Sequence, residues 1–305
     1  MKITPKCNEN YPISILTKAK FALDNQADHS DYKMRTSVII AVLSLLLCSC
    51  IAEARYVRVL LAGDSTCADM KDVSSSSYRG WGQVFQFFYD SRHVTVINFA
   101  KGGASTKTFR EHGCWDALAS EMKKGDIVLI QFGHNDENVK DGRGTTPDEY
   151  KQNLIGYVQE VRAAGADPVL MTPILRRRYD AQGKAMRGGG GNFNHLKYSP
   201  KVFEVAHELK VPLIDGEQIS EQWLDSMTPD TAKDYFVWFR SGAYLKYPDG
   251  KTDDVHLNQK GAYEIASRFS EELCIVKPIL KRHHIQVDYN VVEEALGSIR
   301  IFSEK

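Results

Sequence analysis

Tyr56-Val57-Arg58-Val59-Leu60-Leu61-Ala62 runs straight into Gly63-Asp64-Ser65-Thr66. The first seven residues are apolar apart from Arg58, carry two valines, and stop at a turn-forming Gly-Asp-Ser. That is the pattern of a strand covered on both faces and ending in a loop. Working outward, similar short runs occur at residues 94–100, 127–132, 168–174 and 211–214. Helical patterns lie between them at residues 82–89, 114–123, 147–164 and 200–209, and a last one at 258–273. Thr146-Pro147-Asp148-Glu149 has the cap, the proline and the early acids of a helix start. In the last helix Leu257, Ala262, Ile265, Ala266 and Phe269 form the apolar stripe, with Asn258 as its cap. Alternation of this kind predicts an α/β fold, a parallel sheet with helices on both faces and right-handed crossovers. Active groups in such folds gather beyond the carboxyl ends of the strands.

Four short blocks fall at those places or before the last helix. They read Gly63-Asp64-Ser65-Thr66, Gly102-Gly103-Ala104-Ser105, Gly133-His134-Asn135-Asp136 and Asp253-Asp254-Val255-His256. A serine hydroxyl is a poor nucleophile until a base takes its proton, and His256 is the candidate base for Ser65. The second imidazole nitrogen needs an acceptor, for which Asp253, three residues earlier, is favoured over its neighbour Asp254. The Gly103 N–H, the Asn135 amide and the Ser65 N–H make a candidate oxyanion hole. Asp64 is expected to hold the Ser65 loop, and His134 to orient Asn135 or line the pocket.

This set of blocks resembles the SGNH (GDSL-type) hydrolase superfamily, whose four letters fall on Ser65, Gly103, Asn135 and His256. No Gly-x-Ser-x-Gly elbow surrounds Ser65, which separates it from the other common serine-hydrolase layout. The resemblance implies a three-layer α/β/α, flavodoxin-like fold with five parallel strands. A narrower likeness, to the rhamnogalacturonan acetylesterases, comes from Tyr78-Arg79-Gly80-Trp81-Gly82-Gln83, Phe132-Gly133-His134-Asn135-Asp136 and Thr172-Pro173-Ile174-Leu175-Arg176-Arg177. It implies removal of acetyl groups from a pectic polysaccharide. Arg79, Trp81, His134 and Arg176 are then candidate substrate contacts, the arginines because galacturonate carries a carboxylate; Lys107, Arg177 and Arg178 are weighed alongside them. The competing readings are a lipase, lysophospholipase or thioesterase of the same superfamily, and a glycan-binding module on a hydrolase scaffold.

Composition narrows the partners. Lys+Arg and Asp+Glu are both 39 in 305 residues, so no basic excess points to nucleic acid. No metal-type spacing is visible, and neither metal nor organic cofactor is expected. Met34-Arg35 precedes the apolar run 38–47, which ends in Cys48-Ser49-Cys50-Ile51-Ala52-Glu53-Ala54. A basic start, a short apolar stretch and a terminal Ala-x-Ala predict a signal peptide over 34–54 and export, to the periplasm or outside the cell. The minor alternative is a lipoprotein anchored at Cys50. The apolar run is short for a membrane span. Residues 1–33 read as a disordered or non-native extension, 55–277 as the hydrolase domain and 278–305 as a C-terminal extension. Downstream of the leader three cysteines remain, Cys67, Cys114 and Cys274, with a Cys67–Cys114 disulfide or independent thiols both open. Residues 188–191 are four consecutive glycines and predict a mobile loop. The domain is expected to be a monomer acting on an acetylated poly- or oligosaccharide.

Overall fold

The computed structural model describes residues 56–71, 76–139, 142–188 and 195–296. The leader expected over 34–54 and the extension expected over 1–33 lie outside these residues, as does most of the glycine run. In chain order the elements are β1 (Val57–Gly63), α1 (Trp81–Val84) continued by a 3-10 turn (Phe85–Phe88), β2 (Val94–Asn98), α2 (Thr106–Glu111), α3 (Cys114–Glu121) and β3 (Ile127–Gln131). Then come α4 (Pro147–Ala163), β4 (Asp167–Met171), α5 (Ser199–Leu209), β5 (Leu213–Ile214), α6 (Gly216–Asp225), β6 (Phe236–Phe239), β7 (Lys251–Leu257), α7 (Gln259–Val276) and α8 (Tyr289–Ala295).

The five predicted strands form one parallel sheet in the order β2-β1-β3-β4-β5. Strand alternation divides its side chains between two cores. Val59, Leu61, Leu129, Val169 and Met171 face α1, α6 and α7, where Trp81, Phe85, Trp223, Ile265 and Phe269 are buried. Leu60, Ala62, Val128, Ile130 and Leu170 face α3, α4 and α5, where Trp115, Leu118, Tyr157 and Val202 are buried. The result is the three-layer α/β/α arrangement. The two edge strands depart from expectation: β2 beyond Val94 and β5 at Leu213 are only half-buried.

The chain leaves β1 toward the β2 edge, then crosses back to β3 on the other side of β1. The crevice between β1 and β3 is therefore the topological switch point. In register Gly63 stands opposite Gln131, and Leu61 opposite Asn98. The loops that follow these three strands start level with one another. They carry Ser65, Gly103 and Asn135.

The helix starts behave as their composition requires. Thr146 caps α4 in a capping box with Glu149, with Pro147 in the first turn. Asn258 accepts from the Gly261 N–H to cap α7, whose predicted stripe is wholly buried. Three regular pieces lacked a sequence signal: α2, α6 and the antiparallel β6–β7 ribbon. Past α7, a 3-10 turn (Pro278–His283) and α8 lie against the domain, with Leu280 and Val292 buried in the first core.

Candidate active site

Ser65 stands in the turn just beyond β1. Its loop is held from beneath by Asp64, fully buried, whose Oδ1 accepts from both the Thr66 N–H (2.9 Å) and the Thr66 hydroxyl (2.8 Å). The loop also lies tightly on the start of α1. The Trp81 N–H donates to the Thr66 carbonyl at 2.8 Å, and a Cβ at Gly80 would come within 2.4 Å of the Ala68 carbonyl oxygen. Only glycine fits there.

Asp253 and His256 reach Ser65 through an irregularity in β7. Phe236 pairs with Leu257, but Val237 pairs with Asp253, so one step on β6 answers four on β7. Asp254, Val255 and His256 loop out of the ladder. In a regular strand, positions three apart face opposite sides about 10 Å from each other. Here Asp253 Oδ2 lies 2.8 Å from His256 Nδ1, and His256 Nε2 lies 2.9 Å from Ser65 Oγ. Asp253 braces its own loop as well, since Oδ1 accepts from the Val255 and His256 N–H groups at 2.9 and 3.0 Å. Burial opposes the charge on Asp253, but His256 and these donors prevail and bring its carboxyl down to about 2. Asp254 points elsewhere. Its Oδ1 accepts from Arg177 Nε (2.7 Å) and Trp238 Nε1 (2.9 Å), and the Arg177 guanidinium covers the Trp238 ring at 4.4 Å.

Asn135 is buried with both ends of its amide engaged. Nδ2 donates to the Ala104 carbonyl and Oδ1 accepts from Arg143 Nη1, each at 2.9 Å. Gly103 has φ +78°, a left-handed conformation that suits glycine. The two loops are tied by Asp136, buried, which accepts from the Thr106 N–H (3.0 Å), the Thr106 hydroxyl (2.5 Å) and the Thr145 hydroxyl (3.1 Å). Desolvation outweighs those donors and pushes the Asp136 carboxyl up to about 7. From below, Tyr150 donates to the Phe132 carbonyl (2.9 Å) and Tyr157 to the Thr106 carbonyl (2.5 Å), so α4 clamps the loops after β2 and β3.

The candidate substrate contacts separate. Arg79 is fully buried, its Nη1 donating to the Ser76 and Tyr78 carbonyls at 2.8 and 2.7 Å. Trp81 is buried between Phe85 and Phe269, its Nε1 donating to Gln131 Oε1 at 2.8 Å. Neither has surface to offer a sugar, and both expectations are corrected: these are packing residues. His134 is buried too. Arg176 is largely covered, 3.9 Å from the buried Glu137 carboxylate, and feels the Asp64 and Asp253 charges; burial lowers its pKa. Lys107 is exposed, its Nζ donating to the Gly142 carbonyl at 3.4 Å. Cys67 and Cys114 are separate thiols.

Two neighbours of the site had no role assigned from sequence. Tyr78, inside the Tyr-Arg-Gly-Trp motif, has its ring 4.9 Å from that of His256 and donates to the Ser65 carbonyl at 3.3 Å. Arg143 lies in Gly142-Arg143-Gly144, which reads as an ordinary polar turn. Among the described residues no group of three or more His, Cys, Asp or Glu could hold a metal, and no helix is long and apolar enough to cross a membrane.

A doubly wound sheet with a serine beyond its first strand, facing a late His and Asp, defines a class of α/β hydrolases. Within that class the chain belongs to the GDSL-like lipase/acylhydrolase family, which it matches over residues 61–263. It is a carboxylic ester hydrolase of that family and a homologue of rhamnogalacturonan acetylesterases. It is 38% identical over 228 residues to the rhamnogalacturonan acetylesterase RhgT of Bacillus subtilis, covering 74% of this chain and 94% of the relative. The probable rhamnogalacturonan acetylesterase YesY of the same organism is 34% identical, over 68% of this chain and 88% of its own. Among solved structures, Bacillus subtilis YxiM superposes with a TM-score of 0.59 at 28% identity, over 72% of this chain and 56% of its own. The acetylxylan esterase Axe2 of Geobacillus stearothermophilus shares the fold, with a TM-score of 0.50 at 18% identity over 71% of this chain and 93% of its own.

Proposed function

We propose that the protein is a serine esterase that removes O-acetyl groups from a plant cell-wall polysaccharide, with rhamnogalacturonan as the first candidate. The unbroken hydrogen-bonded line Ser65 Oγ–His256–Asp253, at 2.9 and 2.8 Å, carries the reading. Ser65 Oγ attacks the acetyl carbonyl while His256 Nε2 takes its proton. Asp253 holds the other imidazole nitrogen and stabilises the cation that forms. The tetrahedral oxyanion is met by the N–H groups of Ser65 and Gly103 and by the Asn135 amide. His256 then returns the proton to the departing sugar oxygen, and water, activated by the same imidazole, releases acetate from the acetyl-serine. The polysaccharide is taken from the relatives' substrates, and the leader expected from sequence over 34–54 would suit an enzyme exported to meet a polymer.

The test is acetate release from acetylated rhamnogalacturonan, homogalacturonan and xylan, beside p-nitrophenyl esters of rising chain length. Acetyl esters should be turned over fastest and rhamnogalacturonan should lead the polymers. Preference for long acyl chains would replace this reading with a lipase. Acetate release that persists in Ser65→Ala would remove Ser65 as nucleophile.

A further inference from the structure

Arg143 bonds one of the three groups that would hold the oxyanion and lies beside a second. Its Nη1 donates to Asn135 Oδ1 at 2.9 Å, and the same nitrogen lies 3.3 Å from the place where a Cβ on Gly103 would stand. We propose that Arg143 is a positioning residue for the oxyanion hole, locking and polarising the Asn135 amide and packing against the Gly103 turn. This inference rests on the esterase reading above.

An asparagine amide has two nearly isosteric ends, and only one of them donates. For Asn135 to present N–H to an oxyanion, the flipped orientation must be excluded. The Ala104 carbonyl accepts only from Nδ2, and the guanidinium, which has no acceptor, bonds only to Oδ1. Each partner alone would bias the amide; together they leave one orientation. The bond from Arg143 is charge-assisted, so it is stronger than a neutral one. It also draws electron density toward Oδ1 and makes the Nδ2 hydrogens better donors, the cooperative effect expected in a low-dielectric site. A positive charge behind the amide favours the developing oxyanion directly.

The chain is built to bring Arg143 there. The Thr145 N–H donates to the Asp136 carbonyl at 3.0 Å, which closes the loop after β3 back on the residue next to Asn135. Gly144 lets that closure happen, since a Cβ there would fall 2.4 Å from the backbone of Val139. On the other side Gly103, at φ +78°, has no Cβ to displace the guanidinium.

The experiment uses p-nitrophenyl acetate, a neutral ester with no carboxylate for an arginine to bind, and an acetylated pectin. In Arg143→Ala, kcat on the neutral ester should fall about 10- to 100-fold, short of the 10²–10³ that loss of a whole donor costs, with KM changed less than about threefold. Arg143→Lys, which keeps a donor and the charge, should recover part of the loss. The double variant Asn135→Ala/Arg143→Ala should be no slower than Asn135→Ala by more than about threefold, because Arg143 acts mainly through the amide that Asn135→Ala already removes, and its packing on the Gly103 turn and its bare charge add only the remainder. Should Arg143→Ala fail to fold, Arg143→Lys and Arg143→Gln are read against Asn135→Ala in the same way. Values of kcat within twofold of wild type in every Arg143 variant, losses that multiply with Asn135→Ala, or a loss confined to KM on pectin would each overturn the proposal. A wild-type protein inactive on p-nitrophenyl acetate would take down the esterase reading with it, whereas an active one with indifferent Arg143 variants would take down this inference alone.

Discussion

At the scale of single residues, two adjacent aspartates are separated by the direction their carboxylates face. Asp253 contacts His256 Nδ1, and Asp254 faces Arg177 and Trp238 across the ribbon. Asp253→Asn would place an amide where the imidazole needs an acceptor, and kcat should fall by about 10³- to 10⁴-fold, as when a triad acid is lost. Asp254→Asn loses an ion pair with a 39% exposed carboxylate and should cost less than about tenfold through slackening of the ribbon. Acetyl-ester kinetics on the two variants checks this, and equal losses would show that the acid assignment is wrong. The same scale marks how far sequence reasoning reaches. Ser65, His256 and the favoured acid could be found because nucleophile, base and acid need particular residue types in a particular order. Arg143 reaches Asn135 from a turn of unremarkable composition, and nothing in Gly-Arg-Gly distinguishes it from a solvated loop. Arg79 and Trp81 were misplaced because an arginine or tryptophan reads alike at a binding surface and in a core; their buried partners, the Ser76 carbonyl and Gln131, are set by tertiary structure.

At the scale of elements, the apolar strands and capped helices were legible, since burial on both faces and capping leave local signatures. The β6–β7 ribbon was not. Lys251–Leu257 is mostly polar and loses its alternation at the three residues that loop out, so its period-2 signal is broken by the feature that joins Asp253 to His256. The short α2 was hidden too, lying directly after a glycine-rich block. Its anchor is Asp136, which bonds Thr106 at its first turn and Thr145 before α4. That acid carries a consequence for stability. Its folded-state pKa, about 7, is above the unfolded value, about 3.9, so between those values the folded protein binds more protons than the unfolded chain. The contribution of Asp136 to stability therefore falls as pH rises from about 4 to 7 and is level beyond. Asp136→Asn lacks this slope. The gap in melting temperature between wild type and Asp136→Asn should move against the wild type between pH 4 and pH 7, and a constant gap would show that Asp136 is already ionised at pH 4.

At the scale of the whole molecule, the stretch after α7 bears on whether the catalytic sheet is stable alone. The predicted hydrolase domain ends at residue 277, where the last helical stripe runs out and Pro278 follows. Yet Leu280 and Val292 are fully buried against the core that also contains Trp81 and Phe269. The backbone binds there as well: the Asp90 N–H donates to the His283 carbonyl at 2.9 Å, and the Ile285 N–H to the Phe88 carbonyl at 3.0 Å. Tyr263 on α7 adds a bond to the Val287 carbonyl at 2.7 Å. Local pattern could not show this, because a 3-10 turn and a seven-residue helix are too short for a periodicity to stand out. Burying one leucine and one valine is worth about 3–6 kcal/mol together, a large part of the 5–15 kcal/mol by which domains are stable. A chain ending at Lys277 should therefore melt about 6–24 °C below the full chain, taking about 2–4 °C per kcal/mol for a domain of this size. Leu280→Ala, which leaves the backbone bonds in place, should lie between the two at a cost of about 2–5 kcal/mol. Because these contacts sit beneath the sheet face opposite α4, the acetyl-ester kcat of whatever remains folded should match the full chain at low temperature. Calorimetry with kinetics at 15 °C decides it: equal melting temperatures would mean the tail is a passenger, and a lower kcat in the folded truncated chain would mean it reaches the site.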